Sequence, residues 1–210
     1  MSEMEYPKFS VLMSLYLKEK PEYLNEALKS VINQTVKPNE IVIVYDGPIT
    51  TELKSVVEQY VSNNPGLIKI IDNPENKGLG LALADGVPQC TYELIARMDT
   101  DDICRKDRFE KQLEEFVKDP RLDICGSHIL EFEEKEENIV ARRRVPLVDK
   151  DIKEYQKRRD GFNHMSVMFK KKSVLAAGNY QSCLLMEDTL LWANMFMNGA
   201  KGKNIDDYLV

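Results

Sequence analysis

The sequence has no paired cysteines, no long apolar run and no excess of positive charge. Its cysteines are Cys90, Cys104, Cys125 and Cys183, and none forms the C-x-x-C pair on which zinc sites are built. This excludes a cysteine zinc cluster and favours reduced thiols in a cytoplasmic protein. The N-terminus lacks the basic start and apolar run of a signal peptide. No stretch approaches the roughly 18 apolar residues of a membrane span.

The charge balance argues against a nucleic-acid partner. The chain carries 29 Lys and Arg against 35 Asp and Glu, a formal net charge of −6. Phosphate backbones are held by basic faces, so we expect no nucleic-acid binding. The arginine run 142–144 is best explained as a solvated strand face, although it could meet an anionic acceptor or a membrane surface.

The length and composition indicate one ordinary globular domain. The chain has 210 residues, 43% of them hydrophobic and 30% charged, and α/β domains often reach this size. A chain of this length buries about 70% of its unfolded surface, so it needs no disulfide or metal to fold. It ends in DDYLV, which resembles the beginning of another strand, and we therefore expect the intact protein to continue beyond Val210.

Apolar strand patterns alternate with amphipathic helix patterns in the first half. The predicted strands are 9–15, 40–45, 67–72 and 93–98, with helices predicted between them. Such alternation indicates βαβ units, hence an α/β fold with a mostly parallel central sheet and helices on both faces. In such sheets the ligand lies in the crevice beyond the carboxyl ends of the strands.

The second half is less regular. We predict helices over 107–117 and 151–159, a hairpin joined by the EFEEKEEN loop, a strand in HMSVMFK and a last helix closed by Gly199. No linker divides the chain. We therefore predict a single domain over 1–210.

The sharpest feature is MDTDD, which places Asp99, Asp101 and Asp102 at the end of an apolar strand. Neighbouring carboxylates raise one another's pKa, so the cluster costs free energy unless a cation or hydrogen-bond donors compensate it. A hard divalent cation such as Mg²⁺ would do so. The alternative is that Asp101 or Asp102 caps the next helix, which would account for only one of the three.

Three further candidates also have structural explanations. Asn76-Lys77-Gly78 could bring Lys77 and helix-start N–H groups to an anion, or could simply be a glycine turn. Asp46 could bind a ribose or a base, or cap its own turn through an Asx-type hydrogen bond. Arg97 precedes the aspartates in a strand, and its charge needs either one of them or a ligand phosphate as a partner.

Two candidates lie late in the chain. Glu187 and Asp188 begin the last helix, where acidic residues favour the helix dipole, but where a general base could also be presented. His164 opens a strand pattern and could contact an acceptor or a diphosphate, as could Glu187, although a lone histidine is more often structural.

Taken together and in this order, these segments resemble the family 2 glycosyltransferases of the GT-A fold, particularly bacterial enzymes of exopolysaccharide or lipid-linked glycan synthesis. The resemblance covers most of the chain, and it implies that 1–102 is the nucleotide-binding half of the domain and 103–210 the acceptor-binding half. It rests on FSVLMSLY, PNEIVIVYDG, NKGLGLALADG, ELIARMDTDD, DRFEKQL and MEDTLLW.

The resemblance implies transfer of a sugar from a nucleotide diphosphate, usually UDP, with inversion and with Mn²⁺ or Mg²⁺. Acceptors in such families are glycans or lipid-linked sugars, which implies an enzyme in the cytoplasm or one peripheral to the inner face of the membrane. The residues carried over are Leu15 and Tyr16 beside the base, Asp46 on base or ribose, Asn76 and Gly78 in the nucleotide pocket, Asp99 on ribose, Asp101 on the metal with Asp102 as an alternative ligand, and Asp188 as catalytic base.

One departure is that Tyr45 stands where the family often has another Asp. Two rival functions remain open. One is a non-catalytic nucleotide-sugar-binding protein, against which the presence of Asp188 argues. The other is a sugar-phosphate nucleotidyltransferase, which usually carries a glycine-rich loop after the first strand, whereas this chain has SLYLKEK.

Overall fold

A computed structural model describes residues 5–134, 136–183 and 185–210. The strands are β1 (Phe9–Leu15), β2 (Glu40–Tyr45), β3 (Ile68–Asp72), β4 (Leu94–Arg97), β5 (Ile124–Phe132), β6 (Ile139–Arg143), β7 (Met168–Lys170) and β8 (Gly202–Tyr208). The helices are α1 (Pro21–Ile32), α2 (Thr51–Asn63), α3 (Leu79–Gln89), α4 (Arg108–Lys118), α5 (Asp149–Gln156), α6 (Lys171–Ala176) and α7 (Glu187–Met197).

One sheet runs through both halves in the order β3-β2-β1-β4-β7-β5-β6, with β8 also paired to β5. Strands β1 to β4 are parallel, whereas β7 is antiparallel to both β4 and β5. The predicted α/β class with a mostly parallel central sheet is therefore confirmed. Because β1, β2 and β4 are adjacent and parallel, the loops after them meet at one edge.

Helices cover both faces of the sheet, as the alternation predicted. In β1, Phe9, Val11 and Met13 are buried under α1, α2 and α4, whereas Leu12 is buried under α3 on the opposite face. Burying one such side chain stabilises the fold by roughly 1.5–3 kcal/mol. Both sides of the strands are thus largely apolar, and most of the polar residues that could do chemistry lie at or beyond the strand ends.

The segment HMSVMFK is only partly the strand that we predicted. Its first half, His164–Ser166, is a 3₁₀ turn, and the strand begins at Met168. The turn forms because the Ser166 hydroxyl donates to the Asn163 carbonyl at 2.8 Å, an alternative to ladder pairing that serine readily offers. Helix α6 follows directly and was not predicted.

The C-terminal prediction was wrong in one respect. Asp206–Tyr208 end the strand β8, which begins at Gly202, instead of opening a new one. Val210 accepts a hydrogen bond from the Leu130 N–H at 2.9 Å.

The hairpin is confirmed by the antiparallel β5–β6 pair, although Lys135 of its loop lies outside the described residues. All cysteines are free thiols. None of the helices in the described ranges combines the length and the apolar character needed to cross a lipid bilayer.

Candidate active site

A cleft of about 420 Å³ opens at the carboxyl ends of β1, β2 and β4. It brings together several of the predicted nucleotide and metal residues with others that the sequence did not indicate. The residues lining it are Ser14, Tyr16, Glu19, Asp46, Asn76, Gly78, Leu79, Asp99, Thr100 and Asp101.

Asp46 holds one wall of this cleft in place. Its buried carboxylate accepts hydrogen bonds from the backbone N–H groups of Lys77, at 2.7 Å, and Gly78, at 3.0 Å. The Asn76 amide donates to the Asp46 carbonyl at 3.1 Å. Asp46 therefore stabilises a neighbouring loop and does not cap its own turn. The Lys77 and Gly78 N–H groups that we expected near an anion are occupied by Asp46.

Leu15, Lys77 and Tyr45 do not line the cleft. The Leu15 side chain is fully buried, and its carbonyl accepts from the Asp46 N–H at 2.8 Å, so this residue supports the wall. The Lys77 ammonium group pairs with Asp85 at 3.0 Å. Tyr45 packs into the core at 5% exposure.

Arg97 is paired with an aspartate. Its guanidinium group is 1% exposed and binds both carboxylate oxygens of Asp99, the fork geometry in which arginine pairs are strongest. Arg97 does not line the cleft, so the structure does not place it where a nucleotide would contact it directly. The buried guanidinium group of Arg97 therefore fixes the position of the Asp99 carboxylate.

Among the described residues, no arginine or lysine forms an ion pair with Asp101 or Asp102. Asp99, Asp101 and Asp102 each offer one oxygen within 4.8 Å of the others. One Asp102 oxygen is buried and has no hydrogen-bond partner among the described residues. Burial and the charges of Asp99 and Asp101 raise the pKa of Asp102 to about 7, and burial together with Asp99 and Glu19 raises the pKa of Asp101.

The capping alternative for Asp101 and Asp102 is wrong, because the next helix begins at Arg108 after Asp107. An unpaired buried carboxylate oxygen normally costs free energy. A divalent cation would remove that cost, because carboxylate oxygens are ligands that Mg²⁺ and Mn²⁺ prefer.

A second titratable cluster lies at the start of α7. His164, Glu187 and Asp188 each offer one ligand atom within 4.8 Å of the others. The Asp188 carboxylate accepts the Thr189 N–H at 2.8 Å. Burial, followed by the charge of Asp160, raises the pKa of Asp188. Such a carboxylate is suited to accept a proton.

Glu187 connects the last helix to the cleft. A Cβ added at Gly80 would lie 2.9 Å from the Glu187 Cβ, so the first turns of α3 and α7 pack directly on each other. Gly80 follows Leu79, which lines the cleft. Sequence position gave no indication of this proximity, because Gly80 and Glu187 are more than a hundred positions apart.

A larger cleft of about 800 Å³ shares Asp101 with the first one and also borders Asp102. It lies between α1 and the β5–β6 hairpin, and many of its lining residues are acidic, including Glu22, Glu131 and Glu137. Sequence reasoning missed this cleft, because the acidic hairpin loop is indistinguishable from an ordinary solvated loop. It likewise missed Glu19, whose carboxylate accepts the Thr100 hydroxyl at 2.8 Å.

Comparison with known proteins is consistent with this geometry. The model of the family described as "Glycosyl transferase family 2" matches residues 10–174. The amylovoran biosynthesis glycosyltransferase AmsE of Erwinia amylovora is 42% identical over 202 residues, covering 96% of this chain and 74% of that protein. The UDP-Gal:alpha-D-GlcNAc-diphosphoundecaprenol beta-1,3-galactosyltransferase of Escherichia coli is 40% identical, covering 97% of this chain and 73% of that protein.

Solved glycosyltransferases share the fold. The mannosyltransferase PcManGT of Pyrobaculum calidifontis, in complex with GDP-Man and Mn²⁺, superposes with a TM-score of 0.72 at 16% identity. That match covers 97% of this chain but 56% of the mannosyltransferase. A 1-349 fragment of TarS from S. aureus gives a TM-score of 0.72 at 20% identity, and the chain spans 59% of it. The chain therefore belongs to glycosyl transferase family 2 and is a GT-A glycosyltransferase of glycan biosynthesis.

Proposed function

We propose that this protein is an inverting, metal-dependent glycosyltransferase that moves a sugar from a UDP-sugar to a glycan or lipid-linked acceptor by single displacement. The observation that carries the proposal is the unpaired, buried oxygen of Asp102 in a carboxylate cluster whose member Asp101 lines both clefts. Such a cluster is stable when a cation is bound to it, and it lies where a donor and an acceptor would meet.

The donor nucleotide is assigned to the smaller cleft. All of its lining residues come from 14–101, which supports 1–102 as the nucleotide-binding half of one domain. Tyr16, at 43% exposure, would border the base, while Asp46, Asn76 and Gly78 would shape the pocket. UDP is proposed because the Escherichia coli relative is named for UDP-Gal.

The cation is assigned to Asp101 and Asp102, with Mn²⁺ or Mg²⁺ as candidates. The similar mannosyltransferase fold was solved with Mn²⁺. When bound, the cation supplies positive charge that stabilises the departing nucleoside diphosphate. Arg97 holds Asp99 beside this site, where the Asp99 carboxylate would accept hydrogen bonds from the ribose hydroxyls.

Asp188 is proposed as the catalytic base. Its carboxylate removes the proton from the acceptor hydroxyl while that oxygen bonds to the anomeric carbon and the bond to the diphosphate breaks. Because the acceptor oxygen attacks opposite the leaving group, the configuration inverts. A single displacement needs no protein nucleophile.

The acceptor is assigned to residues 103–210 and to the larger cleft, which is lined from both halves. A glycan or lipid-linked acceptor is proposed because the galactosyltransferase relative is named for a diphosphoundecaprenol-linked sugar. Such an acceptor would place the enzyme in the cytoplasm, in peripheral contact with the inner face of the membrane.

Thermal unfolding with UDP, GDP, CDP and dTDP, each with and without Mn²⁺, tests the proposal. A ligand at 100 times its Kd stabilises a protein by about 2.7 kcal/mol, and each kcal/mol moves the Tm of a chain this long by about 2–4 °C. We expect the largest shift with UDP plus Mn²⁺, and loss of its Mn²⁺-dependent part in Asp101→Asn.

The matched control is Asp151→Asn on α5, which lines neither cleft and should keep the full shift. Equal shifts for all nucleotides would refute the UDP assignment. A shift of Tm with UDP that is the same with and without Mn²⁺ would refute the metal assignment.

A further inference from the structure

His164 occupies a rigid aromatic environment beside the proposed base. Its side chain is 10% exposed, and its ring packs edge-on against Trp192, with 5.9 Å between centroids. Tyr180 packs against it at 5.6 Å. These contacts fix the plane of the imidazole, so each ring nitrogen faces one defined neighbour.

The two nitrogens of His164 face different groups. Nε2 lies 2.9 Å from the Tyr180 hydroxyl, which is a hydrogen bond. Nδ1 lies 3.9 Å from an oxygen of Asp188. This second distance is longer than a hydrogen bond, as is common for catalytic contacts before substrate binds.

The protonation of this group follows from burial. Burial, followed by the positive charge of Arg97, lowers the pKa of His164 well below its usual value. Burial raises the pKa of Tyr180. At neutral pH the imidazole is therefore neutral, with one N–H, and the phenol keeps its proton.

Only one tautomer suits both neighbours. If Tyr180 donates to Nε2, the imidazole proton is on Nδ1 and points at the Asp188 carboxylate. The other tautomer would direct the Nδ1 lone pair at the same carboxylate, which is repulsive.

We propose that His164 is a positioning residue for the reaction, with its Nδ1–H, selected by the Tyr180 hydroxyl, orienting the Asp188 carboxylate and keeping it ionised. This inference rests on the proposed function, because it takes Asp188 as the base. It differs from the expectation that His164 contacts an acceptor or a diphosphate, since both ring nitrogens are directed at protein groups.

The other charged groups around Asp188 explain why an N–H donor from His164 would matter for its ionisation. Glu187 on the same helix and Asp160, whose carboxylate accepts the Thr189 hydroxyl, both disfavour the ionised form. The Thr189 N–H and the Arg97 charge favour it. The Nδ1–H of His164 adds a donor on the Asp188 oxygen that Thr189 does not contact.

Nitrogen-15 NMR of histidine-labelled protein tests the tautomer without any ligand. The chain has only 2 histidines, so His164→Ala assigns the signals by loss. We expect His164 to keep a single protonated nitrogen, Nδ1, from pH 6 to 8, and Tyr180→Phe to produce a mixture of tautomers. A protonated Nε2 in the unaltered protein, or an imidazolium at pH 7, would overturn the proposal.

The pH dependence of turnover tests the role. Donor hydrolysis is measured with Mn²⁺ and UDP-galactose, or with whichever of UDP-glucose, UDP-N-acetylglucosamine and GDP-mannose is hydrolysed fastest. Losing a group that orients a reacting side chain costs on the order of 10- to 100-fold. We expect His164→Ala to lower kcat by that factor and to move the acidic limb to higher pH, with unchanged KM.

His164→Asn provides the rescue control, because its amide N–H lies where Nδ1–H was, and it should restore the position of the acidic limb. The positioning role would be overturned if the acidic limb of the pH profile stayed in place in His164→Ala, or if this substitution mainly raised KM. Failure of the proposed function is distinguishable, because it would leave Asp188→Asn active. Failure of this inference alone would leave Asp188→Asn inactive and the pH profile of His164→Ala unchanged.

Discussion

Asp99 and Asp102 lie close together in sequence but in different electrostatic surroundings. Asp99 shares both of its oxygens with the buried guanidinium of Arg97. Asp102 faces other carboxylates, and one of its oxygens has no partner among the described residues. The same residue type therefore serves once as an anchored acceptor and once as a candidate ligand.

Asp102 should make stability depend on pH in the metal-free protein. Its pKa is raised from 3.8 to about 7 in the folded state, so between these values the folded protein binds more protons than the unfolded one. The free energy of unfolding therefore falls as pH rises through this window, by an amount on the order of a few kcal/mol. Chemical denaturation between pH 4 and 8 measures it.

Asp102→Asn should flatten this profile and be more stable than the unaltered protein at pH 8. Mn²⁺ should stabilise the unaltered protein more at pH 8 than at pH 5, because it binds the ionised carboxylates. Asp107→Asn is the contrasting control. Arg105 lowers the pKa of Asp107, so the contribution of Asp107 to stability is lost only at lower pH. A steep profile retained in Asp102→Asn would show that another group is responsible.

Asp188→Asn should abolish turnover while the protein still binds nucleotide. Removing a general base costs about 10²- to 10⁴-fold in rate, whereas Asp188 does not line the nucleotide cleft. Release of nucleoside diphosphate measures kcat, and calorimetric titration of UDP with Mn²⁺ measures Kd. Glu187→Gln is the matched neighbour, with a smaller expected loss of rate. Loss of UDP binding in Asp188→Asn would instead assign this residue to structure.

At the scale of elements, the loop after β2 and the loop before α3 form one unit. Gly47 has a φ of +82°, and a Cβ there would approach the Asn76 backbone nitrogen to 2.5 Å. Glycine permits both this conformation and this contact. The close approach lets Asp46 reach the N–H groups of Lys77 and Gly78.

Gly47→Ala should therefore displace the wall of the nucleotide cleft. Backbone strain alone costs about 1–3 kcal/mol, and the steric clash with Asn76 adds to it. The control is Gly66→Ala, since Gly66 has a similar φ of +78° but nothing within 4 Å of an added Cβ. Both should lower Tm, and only Gly47→Ala should weaken UDP binding by titration. Equal losses of Tm with unchanged binding would contradict this role for the loop.

At the scale of the molecule, the two halves complete one sheet. In β4, Ile95 pairs with Phe169 and Ala96 with Met168, both of β7. The Arg97 N–H donates to the Val167 carbonyl at 2.9 Å. The first half therefore presents, at β4, an edge that the second half must cover.

A fragment of residues 1–118 should fail to fold cooperatively. Without β7 the edge of β4 is unpaired, and exposed, apolar strand edges promote aggregation. Size-exclusion chromatography and thermal unfolding by circular dichroism should show aggregates or a broad transition, beside a sharp transition for residues 1–210. A monomeric fragment with a cooperative transition would show that the nucleotide half folds by itself.

The alternation of strands and helices, the fold class and the sheet edge that carries the cleft could all be predicted from the sequence alone. These follow from local periodicity, and from the rule that parallel strands end at one edge, so Asp46 and Asp99 could be placed together in advance. The hydrogen bonds of the MDTDD segment and of Asp46 could not be predicted, because helix capping and ligand binding use the same residue types.

The partners of these side chains depend on the three-dimensional structure. It pairs Arg97 with Asp99, leaves an Asp102 oxygen without a hydrogen-bond partner among the described residues, directs the Lys77 and Gly78 N–H groups at Asp46, and brings His164 close to Asp188. These contacts join residues from different loops, and their distances depend on how helices α3 and α7 pack against the sheet. Periodicity in a sequence records which face of an element is apolar, but it carries no information on how two distant loop ends approach each other.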